Sequence, residues 1–240
     1  MKTPITEEDI ISIDKFVLDN YERYKDDTTW IVTDGVVDLD SYNQSKYQIL
    51  WILKEVNEIG EGDDNSAFGD WDIRPVLKEL KEGNKVKKGW ANTFNPIVLA
   101  TFGILNYMDW NDMDYINDDP SMIDVIKQIA YINIKKQPGR SVVNNAELNE
   151  FFERDKSVIF HQIDKFNPDI IIFGGTLNHL KEGLELKEEN AVKLNGLNFY
   201  IQNDKIYIQA YHPGFRGRKE KYIDDIIAAV RYWESKLRVS

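Results

Sequence analysis

Three short stretches of this chain are apolar at nearly every position: Gln48-Ile-Leu-Trp-Ile-Leu53, Ile129-Ala-Tyr-Ile-Asn-Ile134 and Asp169-Ile-Ile-Ile-Phe-Gly-Gly-Thr176. A strand with one wet face alternates polar and apolar residues. A continuous apolar run needs cover on both faces, as parallel strands have when helices flank them. The segments between the runs read as helices: residues 73–81 and 95–107, with Pro75 and Pro96 near their starts, 148–166, stopped by Asn167-Pro168, and 219–237. A fourth strand, 206–210, is the second arm of a hairpin turning at Asn203-Asp204. Strands alternating with helices predict a three-layer α/β/α fold with a mostly parallel, four-stranded central sheet. Residues 1–240 read as one domain, in which residues 1–45 form an N-terminal helical and hairpin extension. Its helix opens at Thr6-Glu-Glu-Asp9, and its hairpin turns at Asp34-Gly35.

A chain of 240 residues is long enough for one well-cored domain. It has no cysteine, which excludes disulfides, thiol nucleophiles, Cys-ligated zinc and iron–sulfur clusters. Residues 1–9 are polar and acidic, and no apolar run approaches a membrane span, so the expected place is the cytoplasm, away from membranes. A net charge of −11 argues against a protein that coats nucleic acid without specificity. The basic residues are clustered, however. Lys81, Lys85, Lys87 and Lys88 read as a solvated surface. Lys135, Lys136 and Arg140 follow the second strand, and Arg216 and Arg218 follow the last, which suits contact with a polyanion at one face.

Ligands of open α/β sheets bind at the carboxyl ends of the strands. Polar groups gather there: Glu55 and Asn57 after the first strand, Asn133 within the second, His212 after the last. A carboxylate, an amide and an imidazole make a workable set for hydrolysing an N-glycosidic bond. The carboxylate positions water and stabilises positive charge on the sugar, the amide pairs with a base edge, and the imidazole meets the charge that gathers on the leaving base. Each residue also has a plainer reading. Asn133 would be a satisfied core amide, Glu55 a surface charge paired with Lys54 or Lys135, and His212 a turn residue capping a backbone group. His161 and His179 read as structural, and Gly174-Gly175-Thr176 as a tight turn whose threonine caps a helix.

These segments together resemble the uracil-DNA glycosylase superfamily over residues 47–240. The features are an apolar strand with a polar turn, Tyr131-Ile-Asn-Ile-Lys-Lys136, a Pro-Asp-Ile-Ile-Ile-x-Gly-Gly strand, and Ala210-Tyr-His-Pro-Gly-Phe215. The resemblance implies that Asn133 reads the pyrimidine, that His212 meets the leaving base's oxygen, and that Phe215 and Arg216 lie in the loop wedged into the duplex. It also implies a stacking aromatic between the first two motifs, for which Phe94 is the choice among Trp71, Trp90 and Phe94. The first motif departs from the family, with Lys54-Glu-Val-Asn-Glu58 lacking the usual glycine and proline. Glu55 is the candidate for the water-positioning role and Asn57 its substitute. The uracil-specific branch has a tyrosine after that proline, and no aromatic stands there here, which implies room for a group at C5 of the base. Phage-defence members of the superfamily remove hypermodified, glucosylated cytosines from viral DNA.

The resemblance thus implies a monofunctional DNA glycosylase, monomeric and without metal or cofactor, acting on double-stranded DNA with the base flipped out. Two other classes compete: a non-catalytic nucleic-acid-binding protein on the same fold, and an enzyme processing nucleotides or nucleosides. Alkali-labile abasic sites in treated DNA separate the first from the second, and a requirement for long DNA separates the first from the third.

Overall fold

The computed structural model describes residues 2–22, 31–55, 71–137 and 145–237. Its first helix, α1 (Glu7–Glu22), starts at a reciprocal cap: the Thr6 amide donates to Asp9 Oδ2 at 2.9 Å and the Asp9 amide to Thr6 Oγ1 at 3.2 Å. There follow β1 (Val32–Thr33), β2 (Gly35–Val36), α2 (Leu39–Gln44) and β3 (Ile49–Leu53). Next come β4 (Trp71–Asp72), α3 (Arg74–Lys78), the hairpin of β5 (Lys81–Glu82) and β6 (Lys85–Val86), and α4 (Ala91–Asn106). A 3-10 segment, Pro120–Gln128, leads into β7 (Ile129–Asn133), then α5 (Asn145–Phe166), β8 (Ile170–Gly174) and α6 (Leu177–Leu180). The chain closes with β9 (Val192–Leu194), β10 (Leu197–Gln202), β11 (Lys205–Ala210) and α7 (Lys219–Leu237).

The protein is an α/β fold around a mixed seven-stranded sheet of order β2-β7-β3-β8-β11-β10-β9. The four middle strands, β7, β3, β8 and β11, run parallel. β2 joins one side antiparallel, and β10 and β9 the other. The sheet is therefore wider and more mixed than the four-stranded one expected, because the final hairpin and a two-residue N-terminal strand both add to it. All five residues of β3 are at most 1% exposed. Side chains alternate between faces: Ile49, Trp51 and Leu53 pack with Phe94, Ile97, Ile126 and Ile223, whereas Leu50 and Ile52 pack with Ile13, Val17, Ile159 and Ile163. The one polar atom that Trp51 buries is satisfied, its indole N–H donating to Thr101 Oγ1 at 3.2 Å. Among the described residues no helix is long and apolar enough to cross a membrane.

Three expectations need correction. The Asp34-Gly35 turn does not fold β1 onto β2: β1 pairs parallel with β4, while β2 pairs with β7. The N-terminal segment is not an appendage, since Ile13, Val17, Tyr21, Ile31 and Val36 belong to the same cluster as Leu50 and Ile52. Finally, α4 begins at Ala91, so Pro96 lies inside it. Proline has no N–H to give the Asn92 carbonyl, and burial of the following turns holds the helix together across that missing bond.

Gly35 sits at φ +143°, and a Cβ there would lie 2.8 Å from Phe166 Cζ. Backbone strain and overpacking add at this position. Gly35→Ala is expected to lower stability by about 2–5 kcal/mol in urea unfolding followed by tryptophan fluorescence. A loss below about 1 kcal/mol would show that the β2–α5 contact yields easily.

Candidate functional site

The parallel strands lie in the order second, first, third, fourth of their sequence. The chain leaves β3 to build β7 on one side, then returns to add β8 on the other. The crevice at the carboxyl ends of β3 and β8 is the switch point at which open α/β sheets bind ligands. Two glycines shape the strand ends there, Gly174 by a close approach and Gly175 by its left-handed backbone. A Cβ on Gly174 would lie 3.1 Å from Pro213 Cδ and 3.2 Å from Leu53 Cγ. One on Gly175 (φ +78°) would lie 3.6 Å from both the His212 amide nitrogen and Lys54 Cε. Thr176 donates its hydroxyl to the Ile52 carbonyl at 2.8 Å, fastening this turn to β3 in place of the helix cap expected of it.

His212 comes two residues after the end of β11. The Gly214 amide donates to its Nδ1 at 3.1 Å, so the turn-capping reading holds for that nitrogen. With Nδ1 occupied as an acceptor, the neutral ring must carry its proton on Nε2. Burial lowers the imidazole pKa, and the nearby Lys54 and Lys219 ammonium groups lower it further. The result is a ring that is neutral at neutral pH, with Nε2 as its donor.

Asn133 ends β7 in register with Leu53 of β3 and is fully buried. Its backbone amide donates to Asp34 Oδ2 at 2.8 Å, and Tyr131 donates its hydroxyl to Oδ1 at 3.2 Å. Nδ2 is buried without any partner. Tyr131 engages one end of the amide and the other is left over, a deficit of about 1–3 kcal/mol unless a ligand or water fills it. Oδ1 keeps a second lone pair, so the amide can still meet two atoms of a base edge.

Glu55 comes two residues after Leu53, its side chain 3% exposed and its Oε2 3.3 Å from Lys135 Nζ. The contact has ion-pair distance but not hydrogen-bond geometry, since the same oxygen is buried without a hydrogen-bond partner. Burial raises this carboxyl above the ordinary range, with the Lys135 charge opposing. Glu55, Asn133 and His212 therefore share one edge of the sheet. Across β7, β3, β8 and β11, at about 4.8 Å per strand, the outer two stand roughly 14 Å apart, with the carboxylate on β3 between them.

Other expected residues fare differently. Lys136 is fully buried, its Nζ 2.6 Å from Asp34 Oδ1 and 2.7 Å from Gln162 Oε1, so it has no free face for a phosphate. Lys135, 5% exposed, is held between Glu55 and Glu147 and over the Phe151 ring, and it serves the carboxylate instead of DNA. Phe94 is 1% exposed between Trp90 and Tyr131, so it props the ring that holds Asn133 and offers no open face; Trp90 is the half-buried ring. Phe215 is half-buried, stacked on Tyr211 and packed against Tyr222, and Tyr211 is the 71%-exposed ring of that loop. Arg216 and Arg218 are exposed, as a phosphate contact requires. Asn57 and Arg140 lie outside the described residues. The solvated reading of the first lysine cluster fits the exposed β5–β6 hairpin.

Sequence reasoning passed over Asp34, Lys54 and Tyr131. Asp34 looked like a turn residue, yet it is 1% exposed and joins Asn133, Lys136 and Gln162. A cleft of about 600 Å³, lined by Asn92, Asn95, Trp110, Tyr115 and Lys219, adjoins the His212 loop through Asn92, whose Nδ2 is the atom nearest a Cβ built on Gly214. Among the described residues no three His, Asp or Glu side chains are grouped to hold a metal ion.

Removing the Lys135 charge takes away the main influence that lowers the Glu55 pKa, so in Lys135→Met this carboxyl should titrate at still higher pH. Carbon-13 NMR of the Glu55 carboxyl in both proteins measures this, and an unmoved or lowered midpoint would discount the ion pair. Because burial already holds the Glu55 pKa above its unfolded value, its ionisation costs folding stability as pH rises through that titration. No protein-family model matches this chain, and no curated protein matches it.

Proposed function

We propose that this chain is a monofunctional DNA glycosylase, a divergent member of the uracil-DNA glycosylase superfamily with its three-layer architecture. In this reading it hydrolyses the N-glycosidic bond of a flipped, damaged or modified pyrimidine, with C5-substituted or glucosylated bases of phage DNA as the foremost candidates. The observation that carries the reading is the half-satisfied amide of Asn133, buried on the same sheet edge as a neutral histidine that carries its proton on Nε2. A buried amide with one end unpaired is costly in an empty core and useful in a base-reading pocket.

Asn133 holds the edge of the pyrimidine. Glu55 orients a water and stabilises positive charge on the sugar, and its ion pair with Lys135 favours the ionised form in opposition to burial. His212 donates from Nε2 to the base oxygen as electrons move onto it. Arg216 and Arg218 meet phosphates, and Tyr211, more exposed than Phe215, takes the place of the wedge.

The direct test is incubation with genomic DNAs that differ in base modification, phage DNAs included, and mass spectrometry of released bases. Release of a modified pyrimidine is expected. No release from any DNA would leave a binding protein on this fold.

Glu55→Gln and His212→Ala should each lower single-turnover cleavage about 100- to 1,000-fold with little change in DNA affinity, because both act on charge that develops in the transition state. Asn133→Ala should relax base choice. Full activity in Glu55→Gln with none in Asn57→Ala would assign the water to Asn57. Because the His212 pKa lies below the ordinary value of about 6.5, the rate should hold level through neutral pH and fall only on the acid side. A fall centred above neutrality would contradict a neutral imidazole.

Alanine at Arg216 and Arg218 should flatten the salt dependence of binding by about one unit of slope per lost phosphate contact. The same change at Lys85 and Lys87 should do less. Equal effects at the two places would mean that another face meets DNA.

A further inference from the structure

We infer that Lys54 is a catalytic residue of this site, the cation that stabilises the departing pyrimidine anion alongside His212; the inference rests on the glycosylase reading. Lys54 immediately follows β3 at the switch point. Its Cε and the His212 backbone nitrogen lie at the same 3.6 Å from the place a Gly175 Cβ would occupy, so lysine and histidine flank one glycine. The φ of +78° is what favours glycine there.

Among the described residues the ammonium is uncommitted. Among the described residues Lys54 forms no ion pair: the adjacent carboxylate, Glu55, is engaged by Lys135, and Lys135 in turn also holds Glu147. A half-buried cation beside a hydrogen-bond donor, at the place where open α/β sheets take ligands, suits an anion. Its charge is also felt at His212, at His179 on α6 and at Glu55.

In the reaction the C1′–N1 bond breaks and its electron pair goes to the base, spreading over N1 and the neighbouring oxygen. The water held at Glu55 adds its oxygen to C1′ and gives up a proton to that carboxylate, while the base anion takes a proton from solvent. Neutral His212 supplies a hydrogen bond to the anion, and Lys54 supplies full charge. A purely phosphate-binding lysine would act equally on ground and transition states; this one acts in proportion to the charge on the leaving base.

Two measurements on the whole protein test this. The first compares single-turnover cleavage by wild type, Lys54→Met and Lys54→Arg on substrates whose bases differ in N1 acidity. The methionine variant should lose about 100-fold on the poorest leaving group and progressively less on better ones, with arginine recovering much of the loss. An equal loss for every base, with weaker DNA binding and a smaller salt slope, would make Lys54 a phosphate clamp and overturn the inference, as would no loss.

The second measurement needs no turnover. It follows binding of 5-nitrouracil, a pyrimidine that ionises near neutral pH, by calorimetry, and the titration of His212 by NMR. Anion affinity should depend on Lys54, and in Lys54→Met the His212 midpoint should rise because one neighbouring cation is gone; Lys219, the other cation near that ring, stays. Lys54-dependent anion binding without cleavage of any DNA would sink the glycosylase reading but keep the anion site. Anion binding and a His212 titration that ignore Lys54 would sink the inference alone. Should the methionine variant fold poorly, Lys54→Gln gives the same comparison.

Discussion

The buried pair of Asp34 and Lys136 ties together the parts of the molecule on which the site depends. Asp34 accepts from the Asn133 backbone, the Lys136 ammonium and the Gln162 amide, and both charges are almost wholly out of water. Three segments remote in sequence thereby meet at one carboxylate: the N-terminal segment, the exit of β7 and the C-terminal part of α5. Two such charges are costly to desolvate, and each becomes affordable only with the other and with neutral partners to absorb the remaining hydrogen-bonding capacity. Burial alone would drive the lysine toward its neutral form, and Asp34 opposes that. Loss of one partner would strand the other, at a cost of about 3–5 kcal/mol, and would free the strand end on which Asn133 sits.

Lys135 and Lys136 show how adjacent residues can serve two different cores. At the end of a strand successive side chains leave on opposite sides. Lys136 reaches Asp34 and Gln162, while Lys135 runs to Glu55, Glu147 and the Phe151 ring. One lysine holds the amide in place and its neighbour holds the carboxylate. The charge of these two lysines is spent on positioning, and among the described residues the exposed arginines are Arg216 and Arg218 of the His212 loop.

The central strands were legible because burial on both faces leaves an unmistakable apolar run, and the β10–β11 hairpin because Asn203 and Asp204 tolerate the left-handed backbone (φ 51° and 60°) that its turn demands. Glu55, Asn133 and His212 were legible as polar residues at strand ends, since the ends of parallel strands share an edge. Pairings between distant segments were not. Nothing local says that Gly35-Val36 will seek β7 and not its neighbour β1, because two-residue strands carry no periodicity. Nor does a lysine's charge reveal whether it meets solvent or a buried carboxylate, which is why Lys135 and Lys136 read as a DNA-facing cluster. That Tyr211 is more exposed than Phe215 was hidden for a similar reason: exposure along a loop depends on which ring finds Tyr222 to pack against.

The sheet also ends in a particular way. Three of its middle strands, β3, β7 and β8, are uncharged, isoleucine-rich segments of the kind that pair readily with copies of themselves, yet they never border solvent. One outer strand is two residues long and the other three, the latter carrying exposed Lys193. A foreign strand arriving at either side finds a ladder of two or three residues and, on one side, a charge. The same two antiparallel edges that made the sheet more mixed than expected thus leave its interior strands out of reach of self-association while the molecule stays folded.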